Sequence, residues 1–285
     1  MSNAVSARSF LLTVFVIRAL ITTVHADDIP LDGPRLSEGF IEHLIPIEGG
    51  ELCCVQRPGK GATLMLIPGT FSDSRVFRKL IPHLDTELNL LLIENRGLGK
   101  SHPKPGIDAT IETCAEDAVR IADQLNVSTF FVGGHSLGGM IAIQLAETAP
   151  EKLQGVISLE GWTNWQAARD AFDFDMKSTL SEEELAESAR YRADTLAEWT
   201  KDEEKQFATL WRNWDGGDIL RTTQLPVLEI YGTRNHPPAT RDQLHIPDRD
   251  NIALAWIPGA AHKVHLEEPA RVGELINEFI RSKIE

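Results

Sequence analysis

The chain has 285 residues, of which 42% are hydrophobic and 25% are charged. These fractions are typical of globular proteins and argue against a disordered or fibrous chain, and the length suffices for one large domain or two smaller ones. The formal net charge of −14 argues against a nucleic acid partner, because such binding needs clustered cations that displace counterions. The three cysteines are too few for a disulfide scaffold and lack the spacing of a zinc site.

The first 26 residues differ from the rest of the chain. They contain no Asp or Glu, and an apolar run from Phe10 to Ile17 is followed by Arg18 and a closing Val24-His25-Ala26. This order of regions is typical of a signal peptide, which would make the protein secreted or periplasmic rather than cytoplasmic. Arg18 shortens the apolar run and argues against a stable membrane span. A disordered extension, a misassigned start and an organelle-targeting segment are the alternatives.

From Phe40 onward the apolar pattern predicts alternating strands and helices. Segments 40–47 and 51–56 flank two glycines and predict a β-hairpin. The β-α-β rhythm that follows predicts an α/β fold, with a mostly parallel sheet covered by helices on both faces. The remaining predicted elements are strands at 63–67, 88–93, 128–132, 155–159, 227–231 and 252–257, and helices at 77–84, 111–125, 140–149 and 270–280.

The rhythm changes after the strand that ends near Leu159. Residues 162–218 have a polar, helical pattern, in which Ser181 and three following glutamates predict a helix N-terminus. We predict that residues 27–161 and 219–285 form the core and that 162–218 form a helical cap over the carboxyl ends of the strands, where such sheets bind ligands. Its tryptophans either line an apolar pocket, with Trp162 and Trp165 as candidate substrate contacts, or pack the cap onto the core. Five of the chain's six tryptophans lie here: Trp162, Trp165, Trp199, Trp211 and Trp214.

The strongest chemical signal is the motif Gly134-His135-Ser136-Leu137-Gly138, between a predicted strand and a predicted helix. In this context a Gly-x-Ser-x-Gly motif forms a sharp turn that exposes the serine hydroxyl as a nucleophile. The N-terminus of the following helix directs amide donors toward developing negative charge. Ser136 is therefore the candidate nucleophile, and a glycine-rich strand-to-helix turn without catalytic function is the alternative.

Two further segments supply the other parts of a nucleophilic site. Pro68-Gly69-Thr70 follows the third strand, and the backbone N–H of Thr70 can pair with that of Leu137 to form an oxyanion hole. His262 follows the last strand and is the candidate general base, with His265 as its competitor. A simple strand-terminating turn is the alternative interpretation of the Pro-Gly pair.

These motifs, in this order, resemble the α/β-hydrolase fold superfamily from about Phe40 to the C-terminus. The segment 96–101, Arg-Gly-Leu-Gly-Lys-Ser, is similar to that superfamily's Arg-Gly-x-Gly-x-Ser. The resemblance implies a catalytic acid in a Gly-x-x-Asp segment after the strand at 227–231, but here Asn235 occupies the acid position. Some relatives carry the acid after the preceding strand, where this chain has Glu160. We favour Glu160 over Asp248, Asp250 or a triad without an acid.

A narrower resemblance supports a rival function. Segments 66–69, 74–77, 134–136 and 159–162 are similar to those of the cofactor-independent 3-hydroxy-4-oxoquinoline dioxygenases. This resemblance implies deprotonation of an aromatic substrate for direct reaction with dioxygen. The Trp and His with which those enzymes bind substrate correspond here to Thr70 and Ser72, which argues against that chemistry.

The sequence thus predicts a serine hydrolase acting on an ester-type bond of a small molecule through an acyl-enzyme. Ser136 attacks the carbonyl, His262 transfers the proton and Glu160 orients His262. No metal or organic cofactor is implied. A hydroxyquinolone dioxygenase and a non-catalytic ligand-binding protein are the alternative functions, and the pattern specifies neither the substrate nor the oligomeric state.

Overall fold

A computed structural model describes residues 39–104 and 109–284, so the predicted signal peptide at 1–26 lies outside the described residues. One eight-stranded sheet has the strand order β1-β2-β4-β3-β5-β6-β7-β8. The first two strands form the predicted antiparallel hairpin, β2 also pairs antiparallel with β4, and all other neighbours are parallel. The predicted mostly parallel sheet is therefore confirmed. The strands are β1 Ile41–Ile47, β2 Gly50–Arg57, β3 Thr63–Ile67, β4 Asn89–Ile93, β5 Phe130–His135, β6 Leu153–Leu159, β7 Val227–Gly232 and β8 Ile252–Ile257.

Helices cover both faces of this sheet. Because side chains alternate along a strand, neighbouring residues of one strand pack into opposite layers. Met65 of β3 belongs to the hydrophobic cluster that contains residues of α1 and α2, whereas Leu66 packs with residues of α9. The central strands are therefore mostly apolar, as is typical of buried parallel strands, although Asn89 and Glu229 are buried polar exceptions. The helices are α1 Ile111–Gln124, α2 Leu137–Thr148, α3 Trp165–Phe172, α4 Glu182–Thr195, α5 Lys201–Phe207, α6 Gly217–Thr222, α7 Arg241–Leu244, α8 Val264–Glu267 and α9 Pro269–Ile284.

The prediction of a helix at 77–84 is wrong. Two separate 3₁₀ turns, Ser74–Phe77 and Ile81–His83, occupy this region instead. Pro82 explains the break, because proline has no N–H for an α-helical hydrogen bond and its ring collides with the carbonyl four residues earlier.

The segment at residues 162–218, which we call the insert, lies between β6 and β7 and contains α3, α4, α5 and the start of α6. Ser181 is the N-cap of α4, and its hydroxyl and the Glu184 side chain form a reciprocal capping box. Two insert tryptophans donate hydrogen bonds to the core, from Trp199 Nε1 to the Gly97 carbonyl at 2.6 Å and from Trp214 Nε1 to Gln144 Oε1 at 2.8 Å. Across the described ranges, no helix is both long and apolar enough to cross a membrane.

Glu229 is a fully buried carboxylic acid within β7. Burial raises its pKa to about 7, and the nearby Ser158 and Tyr231 hydroxyls offset only part of that effect. The ordinary pKa of a glutamate is 4.5. Between this pH and about pH 7, the folded state therefore keeps a proton on Glu229 that the unfolded chain has already released. The free energy of unfolding is therefore expected to fall as pH rises through this window, by roughly 3 kcal/mol in all.

Urea denaturation of the Glu229→Gln variant measures this contribution. The variant should gain stability over the wild type at about pH 8 and gain much less at about pH 5, where the wild-type carboxyl is already protonated. Glu278→Gln, at an exposed position of α9, is the matched control and should show no such pH dependence. An equal effect of Glu229→Gln at both pH values would contradict the raised pKa.

Candidate active site

Ser136 is the single residue between β5 and α2. Its backbone angles, φ 54° and ψ −118°, lie in a region that L-residues rarely adopt, at a cost of about 1–3 kcal/mol. The turn is too tight for a side chain at the first motif glycine, since a Cβ on Gly134 would lie 2.2 Å from the Gly138 carbonyl. Residues 134–138 therefore form the sharp strand-to-helix turn that the motif predicts.

This backbone strain predicts that Ser136→Gly is more stable than Ser136→Ala. Glycine adopts positive φ without steric cost, whereas alanine retains the strain of the native turn. We expect a difference of about 1 kcal/mol in the free energy of unfolding, measured by urea denaturation of the two variants. Equal stability would mean that the turn is not strained.

Ser136 lines a cavity of about 360 Å³, and both predicted oxyanion donors line the same cavity. Leu137 is the first residue of α2, so its N–H has no acceptor within the helix. The turn that carries Thr70 packs directly against the nucleophile, since a Cβ on Gly69 would lie 3.3 Å from Ser136 Cβ. Thr70, Ser136 and Leu137 thus all contribute to the wall of one cavity.

His262 also lines this cavity and pairs with Glu160. Its Nδ1 lies 3.2 Å from Glu160 Oε2, and both side chains are buried. Since an ionised carboxylate only accepts hydrogen bonds, Nδ1 carries the proton and Nε2 is left as an acceptor. The ring packs against Trp162, with 5.2 Å between the ring centroids. The tautomer with the proton on Nδ1 and none on Nε2 is the one that a general base requires.

The competing histidine has a different environment. His265 is fully buried, and burial lowers its pKa to about 3. Its ring packs 4.2 Å from that of His135, and neither of its nitrogens has a hydrogen-bond partner within the described residues. The carboxylate of Glu160 therefore pairs with His262 rather than with His265.

Arg234 is the residue at the site that the sequence did not reveal. Its Nη1 and Nη2 donate to the two carboxylate oxygens of Glu160 at 3.0 and 2.5 Å, and the Gly232 N–H adds a third hydrogen bond at 2.7 Å. Burial raises the pKa of Glu160, but the hydrogen bonds from His262 and Arg234 outweigh it and the net shift is downward. Glu160 is therefore ionised at neutral pH.

Arg234 also connects the core to the insert. Its Nε donates to the Asp175 carbonyl at 2.9 Å, and its guanidinium lies 3.9 Å from the centre of the Phe172 ring. One feature of the sequence could have revealed Arg234. It precedes Asn235, which occupies the acid position of the Gly-x-x-Asp segment, and an arginine at such a place indicates a carboxylate partner from another part of the chain. The other candidate acids, Asp248 and Asp250, are exposed at the surface.

The insert tryptophans divide between the two predicted roles. Trp162 and Trp211 line the cavity, with 5.6 Å between their rings. Trp165 is not among the cavity-lining residues and packs behind Trp211 at 4.7 Å. Trp199 and Trp214 attach the insert to the core through the hydrogen bonds described above. The structure therefore brings Trp162, but not Trp165, to the cavity wall.

Comparison with known proteins agrees with this architecture. A family model described as the alpha/beta hydrolase fold matches residues 62–217. The chain belongs to the α/β-hydrolase fold family. The uncharacterized hydrolase YugF of Bacillus subtilis is 30% identical to it over 253 residues, which cover 79% of this chain and 92% of that relative. The putative carbamate hydrolase RutD of Rhizobium rhizogenes is 24% identical over 249 residues, covering 78% and 94%.

Solved structures resemble this α/β-hydrolase in fold. The enol-lactonase from Burkholderia xenovorans superimposes with a TM-score of 0.68 at 18% identity, covering 84% of this chain and 99% of that one. The family and the names of the relatives both indicate a hydrolase. The resemblance found in the sequence is therefore confirmed at the level of family and fold.

Proposed function

We propose that this α/β-hydrolase is a serine hydrolase that cleaves an ester-type bond of a small molecule through an acyl-enzyme. The observation that carries the proposal is the shared cavity, which is lined by both the strained Ser136 and the Glu160-bound imidazole of His262. Ser136 Oγ attacks the carbonyl, and His262 Nε2 accepts its proton and returns it to the leaving group. The Thr70 and Leu137 amides stabilise the oxyanion, and water then hydrolyses the acyl-enzyme.

We further infer that the insert acts as a cap that shapes the substrate cavity. Three of its aromatic residues, Trp162, Tyr191 and Trp211, contribute to the cavity wall. Core residues supply the reacting groups, and both core and insert residues supply the apolar surface around them. Substrate choice is therefore expected to depend on the insert.

Covalent labelling tests the proposed nucleophile. A fluorophosphonate probe should phosphonylate the wild-type chain with loss of fluoride, and mass spectrometry of the digested protein should map the adduct to Ser136. Ser136→Ala should abolish labelling, whereas Ser128→Ala, at an exposed position before β5, should not. An adduct at another residue would contradict the proposal.

Labelling, combined with activity and binding assays, separates the alternative functions. A cofactor-independent dioxygenase should resist the probe, consume oxygen and release carbon monoxide from a hydroxyquinolone, and retain much of that activity in Ser136→Ala. A non-catalytic ligand-binding protein should bind small molecules without acylation. Thr70 and Ser72 line the cavity and offer neither an aromatic ring nor an imidazole for a quinolone, which favours hydrolysis.

A further inference from the structure

The cavity that contains Ser136 is rich in cations, although the chain as a whole is strongly acidic. Arg78, Arg192 and Lys263 all line it, and Asp73 is the one carboxylate among the described residues that line it. A local excess of positive charge in a protein of net charge −14 calls for a specific explanation.

Existing ion pairs neutralise only part of this charge. Asp73 is occupied by the buried Arg75, whose Nη2 lies 2.6 Å from Asp73 Oδ2, and by the Thr195 hydroxyl at 2.9 Å. Arg78 pairs with Glu187 outside the cavity wall. In the described part of the chain, no carboxylate lies within 4.0 Å of the side-chain nitrogens of Lys263 or Arg192.

These cations act on one another. Burial lowers the pKa of Lys263, Glu267 opposes this shift, and the positive charges of Arg78 and Arg192 lower it further. Arg192 is held beside the cavity by its contact with Phe71, with 4.5 Å between the guanidinium carbon and the ring centre. Like charges gathered around a cavity repel each other, and a bound anion would relieve that repulsion.

Buried polar groups without partners adjoin the same cavity. Nδ1 of His135 and both ring nitrogens of His265 have no hydrogen-bond partner among the described residues, and both histidines line the cavity. Burial keeps both imidazoles neutral, so each carries one N–H. His135 donates its N–H from Nε2 to the His262 carbonyl at 2.8 Å, which leaves its Nδ1 as an acceptor, whereas the N–H of His265 has no acceptor among the described residues. A buried donor of this kind is normally satisfied by a ligand or an ordered water.

We propose that the substrate carries an oxyanionic group, a carboxylate or a phosphate, that Lys263 and Arg192 bind while Ser136 attacks the carbonyl. The proposal rests on the serine hydrolase function inferred above. The anion and the reacting carbonyl share one cavity of about 360 Å³, so the substrate is small. Half-esters of short dicarboxylic acids have this combination of groups.

Two matched esters test the proposal. We expect the hydrolase to prefer 4-nitrophenyl hydrogen glutarate over its neutral methyl ester by about ten-fold or more in kcat/KM, since charge-assisted hydrogen bonds are strong. Lys263→Gln and Arg192→Gln should each lower that preference several-fold, and Lys263→Arg should retain it. Arg192 is exposed, so Arg192→Gln should fold normally and keeps the test valid if Lys263→Gln does not fold. Lys60→Gln and Arg120→Gln remove exposed cations elsewhere and should leave the preference unchanged.

Binding measurements separate a failure of this proposal from a failure of the hydrolase function. Calorimetry with glutarate and with inorganic phosphate on the wild type and on Lys263→Gln detects the anion site without any turnover, and the tighter ligand identifies the anion. Binding that weakens in Lys263→Gln, with neither ester cleaved and no fluorophosphonate adduct at Ser136, would support the anion site and overturn the serine hydrolase. Equal cleavage of both esters, with no binding of either anion, would overturn the anion site alone.

Discussion

Ser136→Ala is expected to lower kcat for any ester that the wild-type hydrolase cleaves by at least about 10³-fold, because no other group in the proposed mechanism forms the acyl-enzyme. The residual rate should come from the oxyanion amides of Thr70 and Leu137, which the substitution does not touch. Steady-state kinetics with a chromogenic ester measures the loss. The matched control is Ser128→Ala, which should retain wild-type kcat.

A stability measurement completes this test. Alanine adopts the strained backbone of residue 136 in the same way as serine, so Ser136→Ala should unfold close to the wild-type urea concentration. Loss of activity with unchanged stability then reports chemistry rather than misfolding. Retention of more than a small fraction of wild-type kcat would contradict the role of Ser136 as nucleophile.

Glu160→Gln is expected to lower kcat by about 10³–10⁴-fold and to destabilise the fold. The amide can donate to His262 Nδ1, which would favour the tautomer whose Nε2 carries the proton and cannot accept one from Ser136. The stability loss arises because Arg234 remains buried without its carboxylate, at a cost of about 3–5 kcal/mol. Kinetics and urea denaturation measure the two effects separately.

A double variant separates the catalytic effect from the structural effect. Glu160→Gln combined with Arg234→Met removes both charges of the buried pair, so most of the lost stability should return. Activity should not return, because the double variant still lacks a carboxylate beside His262. Asn235→Gly, at a positive-φ position that glycine tolerates (φ 60°), should leave kcat near the wild-type value. Recovery of activity in the double variant would show that Glu160 has only a structural role.

The ion pair also predicts a pH dependence of stability. The pKa of Glu160 is lower in the folded state than its ordinary value of 4.5. Its contribution to the free energy of unfolding is therefore fully present above about pH 4.5 and is lost as pH falls through the folded-state pKa. Glu160→Gln should lack this acid-sensitive part, in contrast to Glu229, whose raised pKa weakens the fold as pH rises.

Much of this protein follows from short stretches of its sequence. Largely apolar runs such as 63–67 and 88–93 predicted the central strands, because a strand buried on both faces is a near-continuous run of apolar residues. The motif at 134–138 predicted the strained turn around Ser136, since the glycines and the strand-to-helix context are local. The error at 77–84 was local as well, because the presence of Pro82 outweighed the helical spacing of the apolar residues.

The sequence by itself determined the α/β fold, the turn that exposes Ser136 and the order of its candidate partners, because backbone preference and hydrophobic period are set by neighbouring residues. Only the tertiary structure decided which side chains meet. Glu160 contacts His262 across 102 positions and Arg234 across 74, and the cations of the cavity wall come from the core and from the insert. Contacts over such separations depend on how several loops pack at one edge of the sheet, and no local pattern in the chain encodes that geometry.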